Sequence, residues 1–130
     1  MLKNQTQDST ATTTQVIRRR TLTIALVTDD RDLRQACARV LRYQEHIVFE
    51  GSHAGHAMLA CLKDQPIDLL ISELSMADVS GPALARRMLR HSPRLRAIYL
   101  AQAGTTYESA NVLVRPFTRD DLLRRLAAVC

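Results

Sequence analysis

Residues 21–30 read Thr-Leu-Thr-Ile-Ala-Leu-Val-Thr-Asp-Asp. A short apolar run from Leu22 to Val27 stops abruptly on acids, the pattern of a buried strand. Behind it, Leu33, Ala36, Cys37, Val40 and Leu41 recur at i, i+3, i+4, i+7 and i+8. That spacing predicts an amphipathic helix, whose other face carries Arg34, Arg39 and Arg42.

The strand-then-helix unit repeats along the chain. His46–Glu50 reads as a second strand, ended by Gly51-Ser52. A helix over about 55–64 follows, with Met58, Leu59 and Leu62 expected inward, and Pro66 breaks it. Ile67–Ser72 is a third strand ending at Glu73. A loop from Leu74 to Gly81 leads to a helix over about 82–91, with proline in its first turn. Leu84, Met88 and Leu89 are expected inward there, and Arg86, Arg87 and Arg90 form a basic flank. Ala97–Ala101 and Asn111–Val114 are the fourth and fifth strands. Thr118 starts a last helix with capping-box spacing to Asp121 and an apolar stripe of Leu122, Leu123, Leu126 and Val129. The pattern predicts an α/β domain: a doubly wound, five-stranded parallel sheet covered by helices on both faces.

Composition fits one such domain over residues 21–130, behind a flexible polar and basic tail over 1–20. Apolar residues make up 46% of the 130, enough for a core without disulfide staples. No apolar run approaches the ~18 residues of a membrane helix, and the N-terminal stretch lacks the apolar core of a secretory signal. Cys37, Cys61 and Cys130 show no metal-ligand spacing. Reduced thiols, with Cys37 and Cys61 as small buried hydrophobes, fit a cytoplasmic protein. Much of the formal charge of +5 comes from Lys3 and Arg18–Arg20, set against Asp8 alone in the tail. Those arginines read as a solvated edge. With no Trp and few other aromatics to stack on bases, direct nucleic-acid binding is not expected.

Ligands of open parallel sheets sit beyond the carboxyl ends of the strands. That rule gathers Asp29 and Asp30 from strand one, Glu73 from strand three, Ala101 from strand four and Arg115 from strand five. Asp29, Asp30 and Glu73 are oxygen ligands of the kind Mg²⁺ takes. A plainer reading has the acid pair cap the first helix. His53 and His56, three apart, lack the further ligands a metal site needs.

These pieces carry a resemblance. Leu26-Val27-Thr28-Asp29-Asp30, then Asp68–Met76, then Gly81, then Arg115-Pro116-Phe117, in that order, resemble the receiver domain of bacterial two-component response regulators. The resemblance covers about residues 21–130 and implies the flavodoxin-like receiver fold. In that family an acidic pair like Asp29 and Asp30 holds Mg²⁺, and an aspartate ending strand three accepts phosphate from a histidine kinase. A Thr or Ser ending strand four binds the phosphoryl group, a lysine before Pro-Phe neutralises it, and an aromatic on strand five reports it.

This chain departs from that pattern after the acid pair. The acceptor position is Glu73, the hydroxyl position Ala101, the lysine position Arg115 and the aromatic position Val112; Ala77 follows Met76 where the family usually has proline. The stretch from Ala101 to Arg115 is short by about two helical turns against the family, and Gly104-Thr105-Thr106 are poor helix formers, so the fourth helix is expected to be reduced. A glutamate displaces the nucleophile by about one C–C bond, and misplacement of that order can cost ~10²-fold in rate. A Glu73–Arg115 ion pair without phosphate is the expected arrangement. The resulting expectation is a pseudo-receiver, a phosphorylation-independent protein-interaction module with no required cofactor, for which Mg²⁺ remains an option. Its partner would be a signalling protein (a kinase, a regulator or its own output domain), met through Arg119, Arg124 and Arg125. Self-association as a homodimer is left open. The alternative is a working Mg²⁺-dependent phosphorelay receiver that uses Glu73. A metal-dependent phosphatase-like enzyme lacks a nucleophile–base pair, so no enzymatic activity is expected.

Overall fold

The computed structural model describes residues 20–62, 66–106 and 111–130. Of the tail expected over 1–20, residues 1–19 lie outside the described residues, as do 63–65 at the end of the second predicted helix. Among the described residues nine elements follow in order: β1 Thr23–Val27, α1 Arg31–Tyr43, β2 Ile47–Gly51, α2 Ala54–Cys61, β3 Leu69–Glu73, α3 Gly81–Met88, β4 Arg96–Ala101, β5 Val112–Val114 and α4 Arg119–Val129. The strands form one parallel sheet in the order β2-β1-β3-β4-β5. All five predicted strands are present, with boundaries within two residues of those read from the sequence.

Successive strand residues face opposite sides, so a sheet covered on both faces needs apolar residues at nearly every position. Ile24, Leu26, Leu69, Ile71, Ile98 and Leu100 point to one side, where α1 and α4 cover them with Cys37, Leu41, Leu122 and Leu126. Ala25, Val27, Leu70, Ala97 and Tyr99 point to the other, under α2 and α3.

The inward faces of three helices differ from expectation. On α1 the buried stripe is Cys37, Ala38 and Leu41, rotated away from Ala36, which is exposed. In α2, Leu59 and Leu62 are largely exposed, while Ala54, Ala57, Ala60 and Cys61 are buried and Met58 is partly so. Small side chains let this helix lie close to Ala25 and Val27; the large leucines on its other flank are left outside. Helix α3 stops at Met88 rather than His91, and Leu89 is exposed. The buried Ser92 ends this segment, and its Oγ accepts the Ile67 N–H at 2.9 Å.

Gly81 is required by close approach. A Cβ there would meet the Glu73 carbonyl oxygen at 2.5 Å and Ser72 Oγ at 2.8 Å. Its absence lets α3 start directly against the end of β3. After β4, Gln102–Thr106 make a turn: the Thr105 N–H donates to the Gln102 carbonyl, and Gly104 takes a φ of 88°. These residues form no helix; residues 107–110, the rest of the stretch over which the fourth helix is expected to be reduced, lie outside the described residues.

Candidate functional site

Sheet register assembles the site. Val27 pairs with Ser72, so the next residues out, Thr28 and Glu73, lie side by side at the carboxyl edge. Glu73 pairs with Leu100, which places Ala101 just beyond it. Ala101 pairs with Val114, and the Arg115 N–H donates to the Ala101 carbonyl at 2.9 Å. Residues spread over most of the chain thus meet in one crevice of about 430 Å³, whose lining includes Asp29, Asp30, Glu73, Asp78, Gln102 and Arg115.

Glu73 and Arg115 form the expected ion pair, in a bidentate arrangement. Arg115 Nη1 donates to Oε1 at 2.9 Å and Nη2 donates to Oε2. Thr28 Oγ1 also donates to Oε2, at 2.5 Å. Both carboxylate oxygens are therefore engaged, in a site where the Glu73 and Arg115 side chains are only 12% and 18% exposed. The hydrogen bonds that Arg115 donates to Glu73 push its pKa further up, so the guanidinium stays charged. Paired, fork-shaped contacts of this kind are strong and directional. In a half-buried setting the net gain is small against a pair of apolar residues, but breaking one partner is costly.

The acid pair divides its roles. Asp30 caps α1: its Oδ1 accepts the Leu33 N–H at 3.1 Å, and its own N–H donates to Thr28 Oγ1. Asp29 is exposed on the crevice wall. Among the described residues no group of three or more His, Cys, Asp or Glu side chains is arranged to hold a metal ion. The expected trio Asp29, Asp30 and Glu73 does not fit one as it stands, because Glu73 is tied to Arg115 and Thr28. His53 and His56 serve the backbone instead. Their Nδ1 atoms accept the N–H groups of Gly55 and Ser52, and the two rings stack at 3.9 Å.

Residues 24–127 match the family described as the response regulator receiver domain. This chain belongs to that family. It is 27% identical over 111 residues to the response regulator receiver protein CpdR of Brucella abortus, covering 79% of this chain and 92% of that one. The receiver domain of the hybrid histidine kinase CckA superposes with a TM-score of 0.68 at 25% identity, over 82% of this chain and 96% of that one. The chemotaxis protein CheY4 of Vibrio cholerae superposes with a TM-score of 0.73 at 20% identity, over 85% of this chain and all of that one. The protein is thus a response-regulator receiver domain with the flavodoxin-like receiver fold, and it works in two-component signalling. None of its described helices is long and apolar enough to cross a membrane.

The altered positions of this receiver lie as follows. Ala101 is buried and its methyl belongs to the apolar cluster under α2 and α3, as does Val112. Of the three arginines expected to meet a partner, Arg124 donates to Asp121 at 2.6 Å and Arg119 lies 3.8 Å from Asp120. Arg125 Nη1 donates to the Val112 carbonyl at 2.9 Å and ties α4 to the edge strand. Sequence reasoning missed Thr28 and Arg34. Arg34 Nη1 donates to the Thr28 carbonyl at 2.6 Å and fixes the turn after β1. A signal for Thr28 was available: a hydroxyl residue at the end of β1, just before the acid pair, falls beside the end of β3 once the two strands pair with their carboxyl ends level.

Proposed function

We propose that this receiver domain acts as a phosphorylation-independent protein-interaction module, a pseudo-receiver. One observation carries the reading: the carboxylate at the acceptor position is already held by Arg115 and Thr28, with both oxygens engaged. A carboxylate committed to three donors is a poor nucleophile toward phosphorus. Ala101 supplies no hydroxyl for the transferred group, and loss of such a donor is typically worth a few kcal/mol of transition-state stabilisation. In this reading Mg²⁺ is not required, the domain has no catalytic turnover, and it works in the cytoplasm.

The partner is a signalling protein: a kinase, a regulator or an output domain. The surface offered to it is β5 with α4, where a turn over residues 102–106 follows β4 and Val114 is 38% exposed. Arg119 and Arg124 stand on the exposed side of α4 there, with Arg125 at the strand edge.

The test is the intact mass of the folded protein after incubation with Mg²⁺ and a small acyl-phosphate donor, with Glu73→Gln as control. No adduct on the parent chain is the expected result. An adduct of one phosphate, absent from the control, would replace this reading with that of a Mg²⁺-dependent phosphoacceptor acting through Glu73.

A further inference from the structure

The opposite edge of the sheet carries a second concave site, of opposite charge. In a parallel sheet the residues that lead into each strand gather at one edge. Here Arg20 leads into β1, Asp68 into β3 and Arg94 into β4, which Arg96 begins, while Val129 ends α4 and Cys130 caps it. Together they line a pocket of about 620 Å³, larger than the crevice around Glu73. Pockets of roughly 300–1,000 Å³ are the size that holds small ligands.

The charges in this pocket are not balanced by the protein. Asp68 is its one acidic side chain, and its Oδ2 accepts the Thr23 N–H at 2.8 Å. Among the described residues Arg20, Arg94 and Arg96 form no ion pair and no side-chain hydrogen bond. Arg34, Arg42, Arg115, Arg119 and Arg124 all meet a carboxylate, whereas among the described residues Arg31, Arg39, Arg86, Arg87 and Arg90 are unpaired like these three. What sets Arg20, Arg94 and Arg96 apart is that they share one concave pocket. Arg94 and Arg96 fall in a stretch, between Asp78 and Glu108, that has five arginines and no acid. Cations set close together on fixed strand ends repel, and an anion among them relieves the repulsion. Arginine forks match phosphate oxygens in pairs, whereas lysine would offer only a point charge. Pro93, Leu95 and Val129 add apolar wall beside the guanidinium groups.

We propose that this pocket binds a small phosphate-bearing ligand of the nucleotide class through Arg20, Arg94 and Arg96. The site is independent of the state of Glu73, which lies at the other edge of the sheet. Three cations against the engaged Asp68 carboxylate and the terminal carboxylate of Cys130 leave the pocket net positive, which suits an anionic ligand. The apolar wall takes the base or sugar.

The experiment is calorimetric titration of the full chain with ATP, and separately with pyrophosphate, supported by the rate of maleimide labelling at Cys130 on the pocket rim. Expected is saturable one-to-one binding of ATP, weakened about tenfold or more by the Arg94→Ala/Arg96→Ala double variant, with slower Cys130 labelling in the ligand's presence. The Arg86→Ala/Arg87→Ala variant, on the exposed face of α3, should bind as the parent does. All four substituted side chains are exposed, so folding is preserved. Three results would overturn the proposal: no saturable binding, equal loss in both double variants, or pyrophosphate binding as tightly as ATP. The second would mean a diffuse basic field, the third an anion site that reads no nucleotide. A DNA duplex bound more tightly than ATP and released by the α3 variant would also overturn it.

Discussion

Thr28 and Glu73, at the ends of neighbouring strands β1 and β3, share a hydrogen bond of 2.5 Å from Oγ1 to Oε2. Thr28 is 1% exposed, and the same hydroxyl oxygen accepts the Asp30 N–H at 3.1 Å. The threonine therefore links the acceptor-position carboxylate to the cap of α1. It helps hold the glutamate in a fixed pose.

Thr28→Val keeps the shape and removes both hydrogen bonds. It leaves a backbone N–H and a carboxylate oxygen short of a partner, at a cost of about 1–3 kcal/mol. Urea unfolding should show a lower midpoint with an unchanged slope. An unchanged midpoint would mean that water replaces the hydroxyl at no cost.

The Glu73–Arg115 pair should behave as a unit. Glu73→Gln or Arg115→Met alone strands the other member, and each should cost on the order of 3 kcal/mol, toward the low end for buried pairs because both side chains keep some exposure. The double variant should lose less than the sum of the two, with a coupling of about 1–3 kcal/mol. Additive losses in a denaturation cycle would show that the two groups stabilise the fold separately.

Thiol reactivity should be ordered by burial. Burial pushes the Cys37 thiol up to about 11, with Asp30 and Glu73 adding to the shift and Arg115 opposing it. At neutral pH its thiolate fraction is then about a hundredfold below that of an ordinary cysteine, quite apart from access. Cys61 is also buried and its pKa raised; burial raises the Cys130 pKa too, but Cys130 is exposed and so accessible. Maleimide at pH 7 should add once, at Cys130, and reach the other two only in denaturant; intact mass counts the additions.

The capping box of α4 gives the fold an acid-sensitive element. The Thr118 N–H donates to Asp121 Oδ2 at 2.8 Å, and the Asp121 N–H donates to Thr118 Oγ1 at 3.1 Å. The backbone hydrogen bond from Thr118 is the main cause that holds the Asp121 pKa below its ordinary 3.8, with Thr118 Oγ1 and Arg124 assisting. A lowered folded-state value means stability that is fully present above the unfolded value and lost as pH falls through the folded one. Relative to Asp121→Asn, the parent should hold a constant advantage from pH 5 to 8, which shrinks below about pH 4. Melting temperatures across that range test it; an advantage that persists at pH 2 would assign it to shape instead of charge.

Restoring the family's residues should restore chemistry. Glu73→Asp shortens the carboxylate, Ala101→Thr returns the hydroxyl and Arg115→Lys replaces the bidentate clamp with a point charge. The triple variant should take up phosphate from a small acyl phosphate with Mg²⁺ where the parent does not. Failure of a folded triple variant would place the block elsewhere, with Ala77, Val112 or the short stretch after β4.

The alternation of apolar runs with helical stripes determined the fold by itself. A parallel sheet buried on both faces demands apolar residues at nearly every strand position, and few other patterns do. The same logic brought Asp29, Asp30, Glu73, Ala101 and Arg115 to one edge, because strand ends are set by local sequence. Helix faces were less legible. In α2 the sequence offers two apolar sides, and only packing against Ala25 and Val27 selected the small one and left Leu59 and Leu62 in solvent. The Glu73–Arg115 pair and a capping role for the acid pair were legible in the sequence, but the tertiary structure decided their geometry and the part played by Thr28. Pair geometry put both Glu73 oxygens on Arg115 and Thr28, gave the capping role to Asp30 and left Arg20, Arg94 and Arg96 unpaired at the far edge, where Asp68 is held by the Thr23 N–H. Hydrogen bonds and ion pairs depend on distances of a few tenths of an ångström between residues far apart in the chain, which register and packing set and local propensity does not.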